Sequence, residues 1–345
     1  MQNSLRKPAA KTASSPAEDL PVRPRRLRRT GFLRDMVREA RLSPDDFIYP
    51  LFIAEGTGER EPIASMPGIF RETEKTLPAA IKQAEQAGLK AVMLFGIPRH
   101  KDAIGSDSLK KDGLLSRMVR RAKNSAPDLT VMADLCFCEY TDHGHCGVLN
   151  ETGDVDNDGT LENLAAQALV AAEAGADLLA PSGMMDGTIA VLRGALDGNG
   201  FSHIPLMAYS TKFASAFYGP FRDAAGCSLD SKKPGGNRKT YQMDPANGRE
   251  ALRESLLDEA QGADILMIKP GMPYLDVLAN LRRETLLPIA VYQVSGEYAM
   301  IRHAAQAGAL NAEAVMMESL VAFKRAGADL ILSYFAPEAA AILQK

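Results

Sequence analysis

One unit recurs along this chain and restricts the folds open to it. The stretches "AEQAGLKAVMLFG" (84–96), "AAEAGADLLAPSG" (171–183), "EAQGADILMIKPG" (259–271) and "KRAGADLILSYFA" (324–336) share a layout. Each is the end of an Ala-rich helix, a Gly able to cap it, usually Ala-Asp, then an apolar strand. Further buried-strand patterns stand between them: "FIYPLFIAE" (47–55), "LTVMADLCFC" (129–138), "IPLMAYSTKF" (204–213) and "LPIAVYQVS" (287–295). Helical patterns such as "LENLAAQALVAAEAG" and "REALRESLLDEAQG" separate most of them. Strands alternating with helices build right-handed βαβ units around a parallel sheet. Eight such units predict an α/β fold of the (β/α)8 TIM-barrel type over residues 43–345. No G-x-G-x-x-G follows a strand, which argues against an open dinucleotide-binding sheet.

Composition narrows the partners. With 345 residues, 46% of them hydrophobic, the chain can bury a large core. A net charge of −3 supplies no overall basic field for nucleic acid. No apolar run approaches the ~20 residues that span a bilayer. The start, "MQNSLRKPAAKTASSPAEDL", lacks the apolar centre of a secretion signal. Four cysteines in a chain of this length are not a disulfide scaffold. These features predict a soluble cytoplasmic protein without nucleic-acid or membrane partners. Residues 1–20 have little to bury and are expected to form a disordered tail.

A barrel carries its chemistry at the C-terminal ends of its strands. Read there, the chain offers "DLCFC", "STKF", "MIKP", "QVSGEY" and "LSYF". Lys212 and Lys269 finish the fifth and sixth strands, which are neighbours in such a barrel. A lone lysine at a strand end commonly extends its ammonium to water. Two at equivalent positions on adjacent strands would repel. An ordinary lysine, pKa ~10.4, leaves only about 1 amine in 2,500 uncharged at pH 7. Burial and a neighbouring cation both lower that pKa and expose a nucleophilic amine, which can attack a ketone and form a Schiff base.

The stretch "ADLCFCEYTDHGHCGVL" (133–149) places Cys136, Cys138 and Cys146 within eleven residues, while Cys227 stands apart. In a strand, Cys136 and Cys138 would share a face, and the Gly-containing loop could return Cys146 to them. Three thiolates suit a soft or borderline ion such as Zn²⁺. No fourth sulfur is evident nearby, so a fourth position is expected to be open, as in a catalytic site, or closed by His143 or His145.

The motifs "YSTKFASAFYGPFRDA", "MIKPGMPYLDV", "VYQVSGEYAM" and "DLCFCEYTDHGHCG" together resemble the porphobilinogen synthase (5-aminolevulinate dehydratase) family, over almost all of residues 21–345. The resemblance implies a (β/α)8 barrel with an extended N-terminal arm that condenses two 5-aminolevulinate molecules to porphobilinogen, losing two waters, in tetrapyrrole synthesis. It implies that Lys269 is the principal Schiff-base lysine and Lys212 the second. Arg222 and Arg238 match residues that receive one substrate carboxylate, and Ser295 and Tyr334 match donors to the other. Cys136, Cys138 and Cys146 match the catalytic zinc ligands of the cysteine-bearing branch, and Asp134 an acidic residue beside them. Glu254 aligns with a carboxylate linked to an allosteric Mg²⁺. Asp142 departs from the pattern, since the family often carries a small hydroxyl residue there.

The residues accommodate these roles. Arginine offers paired donors to a carboxylate, and zinc with three thiolates can polarise a carbonyl or orient an amine. The stretch 219–241 is too long and polar for a tight βα turn and reads as a lid carrying Arg222 and Arg238 over the barrel mouth. In the basic segment "PVRPRRLRRTGFLRDMVREARL" (21–42), Pro21 and Pro24 are expected to stiffen an extended start. Leu27, Phe32, Leu33, Met36 and Val37 are apolar anchors that a solvated tail does not need. The resemblance makes this segment an arm that embraces a neighbouring barrel and assembles a homo-octamer. Two other readings fit part of the pattern. A class I aldolase would use one lysine and leave the cysteines without a task; a zinc-binding scaffold would leave both lysines without one.

Overall fold

The computed structural model describes residues 22–229 and 236–344. The expected disordered tail, 1–20, and the centre of the expected lid lie outside the described residues. The chain divides into two compact units, one ending at Arg41 and the other beginning at Leu42.

In the first unit, Pro24–Arg28 is a 3-10 helix and Gly31–Met36 a short α-helix. The extended start expected from the prolines is corrected here. Pro24 opens a helix because its fixed φ suits the first helical position, where its missing N–H is not needed. Thr30 caps the second helix, its Oγ1 accepting from the Leu33 N–H at 3.2 Å. Leu27, Phe32, Met36 and Val37 are exposed.

The second unit is the barrel. Its strands are β1 (Phe47–Ala54), β2 (Ala91–Ile97), β3 (Thr130–Leu135), β4 (Leu178–Pro181), β5 (Met207–Lys212), β6 (Ile265–Lys269), β7 (Ile289–Gln293) and β8 (Leu330–Ser333). All neighbouring pairs along β4-β3-β2-β1-β8-β7-β6-β5 are parallel. The ring closes between β4 and β5 through a bridge of Leu179 with Leu206, where the Leu179 N–H donates to Pro205 O at 3.1 Å. Helices cover the outside, so the strands are buried on both faces and read as continuous apolar runs. A short pair, Glu61–Pro62 with Phe70–Thr73, adds to β1 after its barrel neighbours. Nothing in the sequence reading anticipated it.

The recurring unit has a physical explanation at each position. Its four glycines, Gly88, Gly175, Gly262 and Gly327, all have positive φ, the conformation that ends a helix and that a Cβ resists. The aspartate after three of them reaches sideways to the preceding strand. Asp177 Oδ2 accepts from Val131 N, Asp264 Oδ2 from Leu206 N and Asp329 Oδ2 from Ile289 N, each at 2.8 Å. Each carboxylate thus pins the register of two neighbouring strands at the N-terminal rim.

One irregularity decides where a lysine points. Met207 and Ala208 pair with Ile265 and Leu266, but the next partners are Thr211 with Ile268 and Lys212 with Lys269. Strand β5 therefore spends one residue more than β6 over the same rise, a β-bulge. Thr211 Oγ1 lies 2.9 Å from Ser255 Oγ and Ser210 bonds Asp258, so two consecutive residues face the outer helix. Tyr209 and Lys212, three apart, consequently share the barrel interior, which a regular two-residue alternation forbids.

Candidate active site

Lys269 ends β6 with 4% of its surface exposed. Its Nζ lies 4.2 Å from the ring centre of Tyr292, 4.9 Å from Phe221, 5.1 Å from Tyr209 and 5.5 Å from Tyr218. Burial lowers its pKa to about 7, and the positive charge of Lys212 acts in the same direction. The ring faces attract a cation by about 0.5–2 kcal/mol each, which is less than the effect of burial. Lys212, 5% exposed, donates to Ser182 O. Burial pulls its pKa down, yet the negative charge of Cys146, with Asp134 adding, outweighs that and leaves it raised. The two lysines are neighbours with opposite electrostatic fates. Lys269 is the one poised as a free amine.

Asp134, at the end of β3, faces both. Burial and the charge of Glu139 lift its carboxyl to about 7, against the pull of Lys269 and Lys212. Its Oδ2 accepts from Ser182 Oγ at 3.1 Å, while Oδ1 is buried without a protein partner.

The cysteines come together, though not on a strand. β3 stops at Leu135, and Cys136 and Cys138 occupy the turn beyond it, which corrects the expectation of a shared strand face. Their Sγ atoms are 3.4 Å apart, and the three sulfurs of Cys136, Cys138 and Cys146 lie within 4.8 Å of one another, all buried. Hydrogen bonds from Cys136 and Cys138 hold the Cys146 thiol well below its ordinary pKa, whereas the same contacts push Cys138 up. Three buried thiols that cannot all ionise unaided are a donor set a metal cation fits. A fourth sulfur is close after all: Cys227 interacts with Cys138. Sequence spacing could not show this, because Cys227 arrives from the loop after β5. His143 and His145 are engaged elsewhere: His143 Nε2 lies 3.1 Å from Ala103 O, and His145 Nδ1 lies 3.1 Å from the Tyr241 hydroxyl. Asp142 is not in the sulfur cluster.

Arg222 sits on the short helix Gly219–Ala225 above the barrel mouth. The last carbonyls of that helix are held by cations, which suit a helix C-terminus. Arg71 Nε donates to Ala224 O at 2.7 Å and Lys101 Nζ to Gly226 O at 2.9 Å. Arg238 joins this segment to the cysteine loop, donating to Gly144 O at 2.7 Å and Cys227 O at 3.0 Å. Both arginines keep a buried Nε without a protein acceptor. Burial lowers the Arg222 pKa, and the positive charge of Arg238 adds to this. Ser295 Oγ accepts from Phe221 N at 2.9 Å, and the Tyr334 hydroxyl lies 2.9 Å from that of Tyr292.

Glu254 stands outside this cluster. It is half-buried on helix Gly248–Ala260, where burial and the charges of Asp186 and Glu250 raise its pKa. Asp258, one turn on, rises to about 6 through burial, with Glu254 and Asp186 adding. Glu254, Glu250 and Asp186 line a cavity of about 360 Å³ with Gln242, whose side-chain amide is buried and unpartnered.

Sequence reasoning missed Tyr292, Tyr209 and Tyr218 around Lys269, since tyrosines in apolar strands and helices look like core. No helix among the described residues is long and apolar enough to cross a membrane.

The family model for delta-aminolevulinic acid dehydratase matches residues 21–342. The delta-aminolevulinic acid dehydratase of Escherichia coli (strain K12) is 57% identical over 318 residues, covering 92% of this chain and 96% of its own length. That of Helicobacter pylori (strain J99) is 54% identical over 322 residues, covering 93% and 98%. Among solved structures, the delta-aminolevulinic acid dehydratase (porphobilinogen synthase) of Toxoplasma gondii ME49 in complex with its product porphobilinogen aligns with a TM-score of 0.90. It is 43% identical, and the alignment covers 93% of this chain and 91% of that one. The chain belongs to the delta-aminolevulinic acid dehydratase family.

Proposed function

We propose that this protein is a porphobilinogen synthase that joins two 5-aminolevulinate molecules through imines at Lys269 and Lys212. The observation that carries the mechanism is the lysine pair itself: two buried amines on the last rung of adjacent strands, one with its pKa lowered to about 7. The neutral Lys269 amine attacks a substrate ketone, and with one proton taken up water leaves as the iminium forms. The ring faces of Tyr292, Phe221, Tyr209 and Tyr218 then surround the nitrogen and favour the protonated, cationic form of the imine. Across the two substrates one carbon–carbon and one carbon–nitrogen bond form, two waters leave, and both lysines return as amines.

Each lysine would have its own carboxylate site. Phe221 and Tyr292, whose rings lie against Lys269, bond Ser295 and Tyr334 respectively, whereas Lys212 and Arg238 both act on Cys146. Asp134, between the lysines with a carboxyl near neutrality, can hold or release a proton as the bonds change. Cys136, Cys138 and Cys146 would hold a zinc ion, whose chemistry when bound is to polarise an oxygen or orient an amine of the substrate. The helix Gly219–Ala225 and the segment reaching to Tyr241 act as the lid, excluding water from imine chemistry.

Glu254 would contribute to a regulatory Mg²⁺ site, since a divalent ion offsets the burial and the neighbouring negative charges of Asp186 and Glu250 that raise its carboxyl. Residues 21–42 act as the assembly arm of a cytoplasmic homo-octamer, supported by the apolar side chains the first unit leaves exposed.

Incubation of the purified protein with 5-aminolevulinate alone tests the reading. Formation of a pyrrole supports it. Absence of pyrrole from a folded, zinc-loaded preparation overturns it, and cleavage of a sugar phosphate instead would indicate an aldolase.

A further inference from the structure

Glu297 is a carboxylate with no exposed surface in the first turn of helix Ser295–Gln306. Its position three residues into the helix suggests an ordinary cap, in which the side chain reaches back to the N–H preceding the helix. It does so: Oε2 accepts from Val294 N. The cap explains only that bond. Oε2 also accepts from Gly271 N at 3.4 Å, and Oε1 accepts from Met272 N. Gly271 and Met272 belong to the other strand end, directly behind Lys269 and Pro270.

One buried carboxylate therefore ties together the two loops that carry the proposed imine lysine and the Ser295 hydroxyl. Neither oxygen is spare. A neutral amide in its place would turn an NH2 group toward at least one N–H donor, leaving either Met272 N or both Val294 N and Gly271 N without their acceptor. Gly271 leaves no slack on its side, because a Cβ there would stand 2.7 Å from the Phe323 ring.

We propose that Glu297 is a positioning residue for the reaction, holding the Lys269 loop against the Ser295 loop so that the ketone and the carboxylate of one substrate are gripped at a fixed separation. The proposal rests on the reading of Lys269 as the imine-forming amine. Holding reacting groups within a fraction of an ångström is worth orders of magnitude in rate, and a shift of about 1 Å can lose about 10²-fold.

Glu297→Asp separates this role from capping. Aspartate is also a good residue in the first helical turn and can still serve Val294 N, but it is shorter by about 1.5 Å, one carbon–carbon bond. It withdraws from Gly271 and Met272. The expected result is a folded, zinc-binding protein whose kcat falls about 10²-fold, with a smaller change in KM. Its rate of borohydride trapping at the Lys269 peptide should fall in parallel, and Glu297→Gln should show the same pattern. Wild-type kcat and trapping rate in Glu297→Asp would overturn the proposal. So would failure of both variants to fold, since the carboxylate would then hold the barrel and not the site. The underlying reading fails separately: in that case the wild-type protein itself gives no adduct on the Lys269 peptide.

Discussion

Lys212 and Lys269 are partners on the last rung of the β5–β6 ladder, and they reach it by unequal paths. The extra residue in β5 turns Lys212 inward beside Tyr209. Deleting Ser210 should restore the regular alternation and turn Lys212 toward the outer helix. The expected product is a folded barrel with turnover below about 1% of the parent, yet with trapping retained at Lys269. Circular dichroism, the pyrrole assay and peptide masses after borohydride reduction check the three parts. A deletion variant that still turns over normally would show that the bulge does not aim the lysine.

The pKa of Lys269 sets a pH dependence. Its nucleophilic form is the neutral amine, so the trapping rate with substrate should rise about tenfold per unit below about pH 7 and level off above it. Lys212→Met removes a cation that favours the neutral form. The midpoint should therefore move to higher pH, and turnover should fall severely while some trapping survives. Lys269→Ala should abolish both. An unshifted midpoint in Lys212→Met would mean that burial alone depresses Lys269.

Metal removal has a defined consequence. Strong chelation should abolish pyrrole formation, and Zn²⁺ should restore it only with reductant present, because the ligands must be free thiolates. Cys138→Ala should lose zinc and activity while the barrel melts close to the parent temperature, since the sulfurs lie beyond the end of β3. Full turnover by protein shown to be metal-free would end the zinc assignment.

Much of the scaffold was legible because the repeat is local. A glycine, an aspartate and an apolar run report a helix end and a strand start within a dozen residues, and the lysines fall at strand ends by simple counting. What stayed hidden depends on distant pairings. The bulge leaves "MAYSTKF" looking like any strand, because the surplus residue is surplus only relative to β6. Cys227 and Glu297 gain their meaning from contacts with Cys138 and Met272, residues far away in the chain. The aspartates after the glycines were visible as a pattern but not as strand pins, since the N–H groups that donate to them belong to the neighbouring strand.

The arm can be tested by truncation. Deleting residues 1–35 removes Phe32 and Leu27 from the exposed apolar set. Light scattering should report smaller particles, circular dichroism an intact barrel, and the pyrrole assay at least a severalfold loss. A truncated protein that remains an octamer, or a smaller species with full activity, would show that the segment is not what joins the subunits.

The closure of the ring has a mechanical side. Seven of the eight joints between strands are ladders, but β4 meets β5 through the Leu179–Leu206 bridge, and Lys212 reaches across that joint to Ser182 O. The least stitched line of the wall thus ends at the mouth between Ser182, just beyond β4, and Lys212, at the end of β5. A molecule bound to both lips fastens the wall as well as occupying the mouth. Amide exchange along this line should therefore slow when substrate is bound.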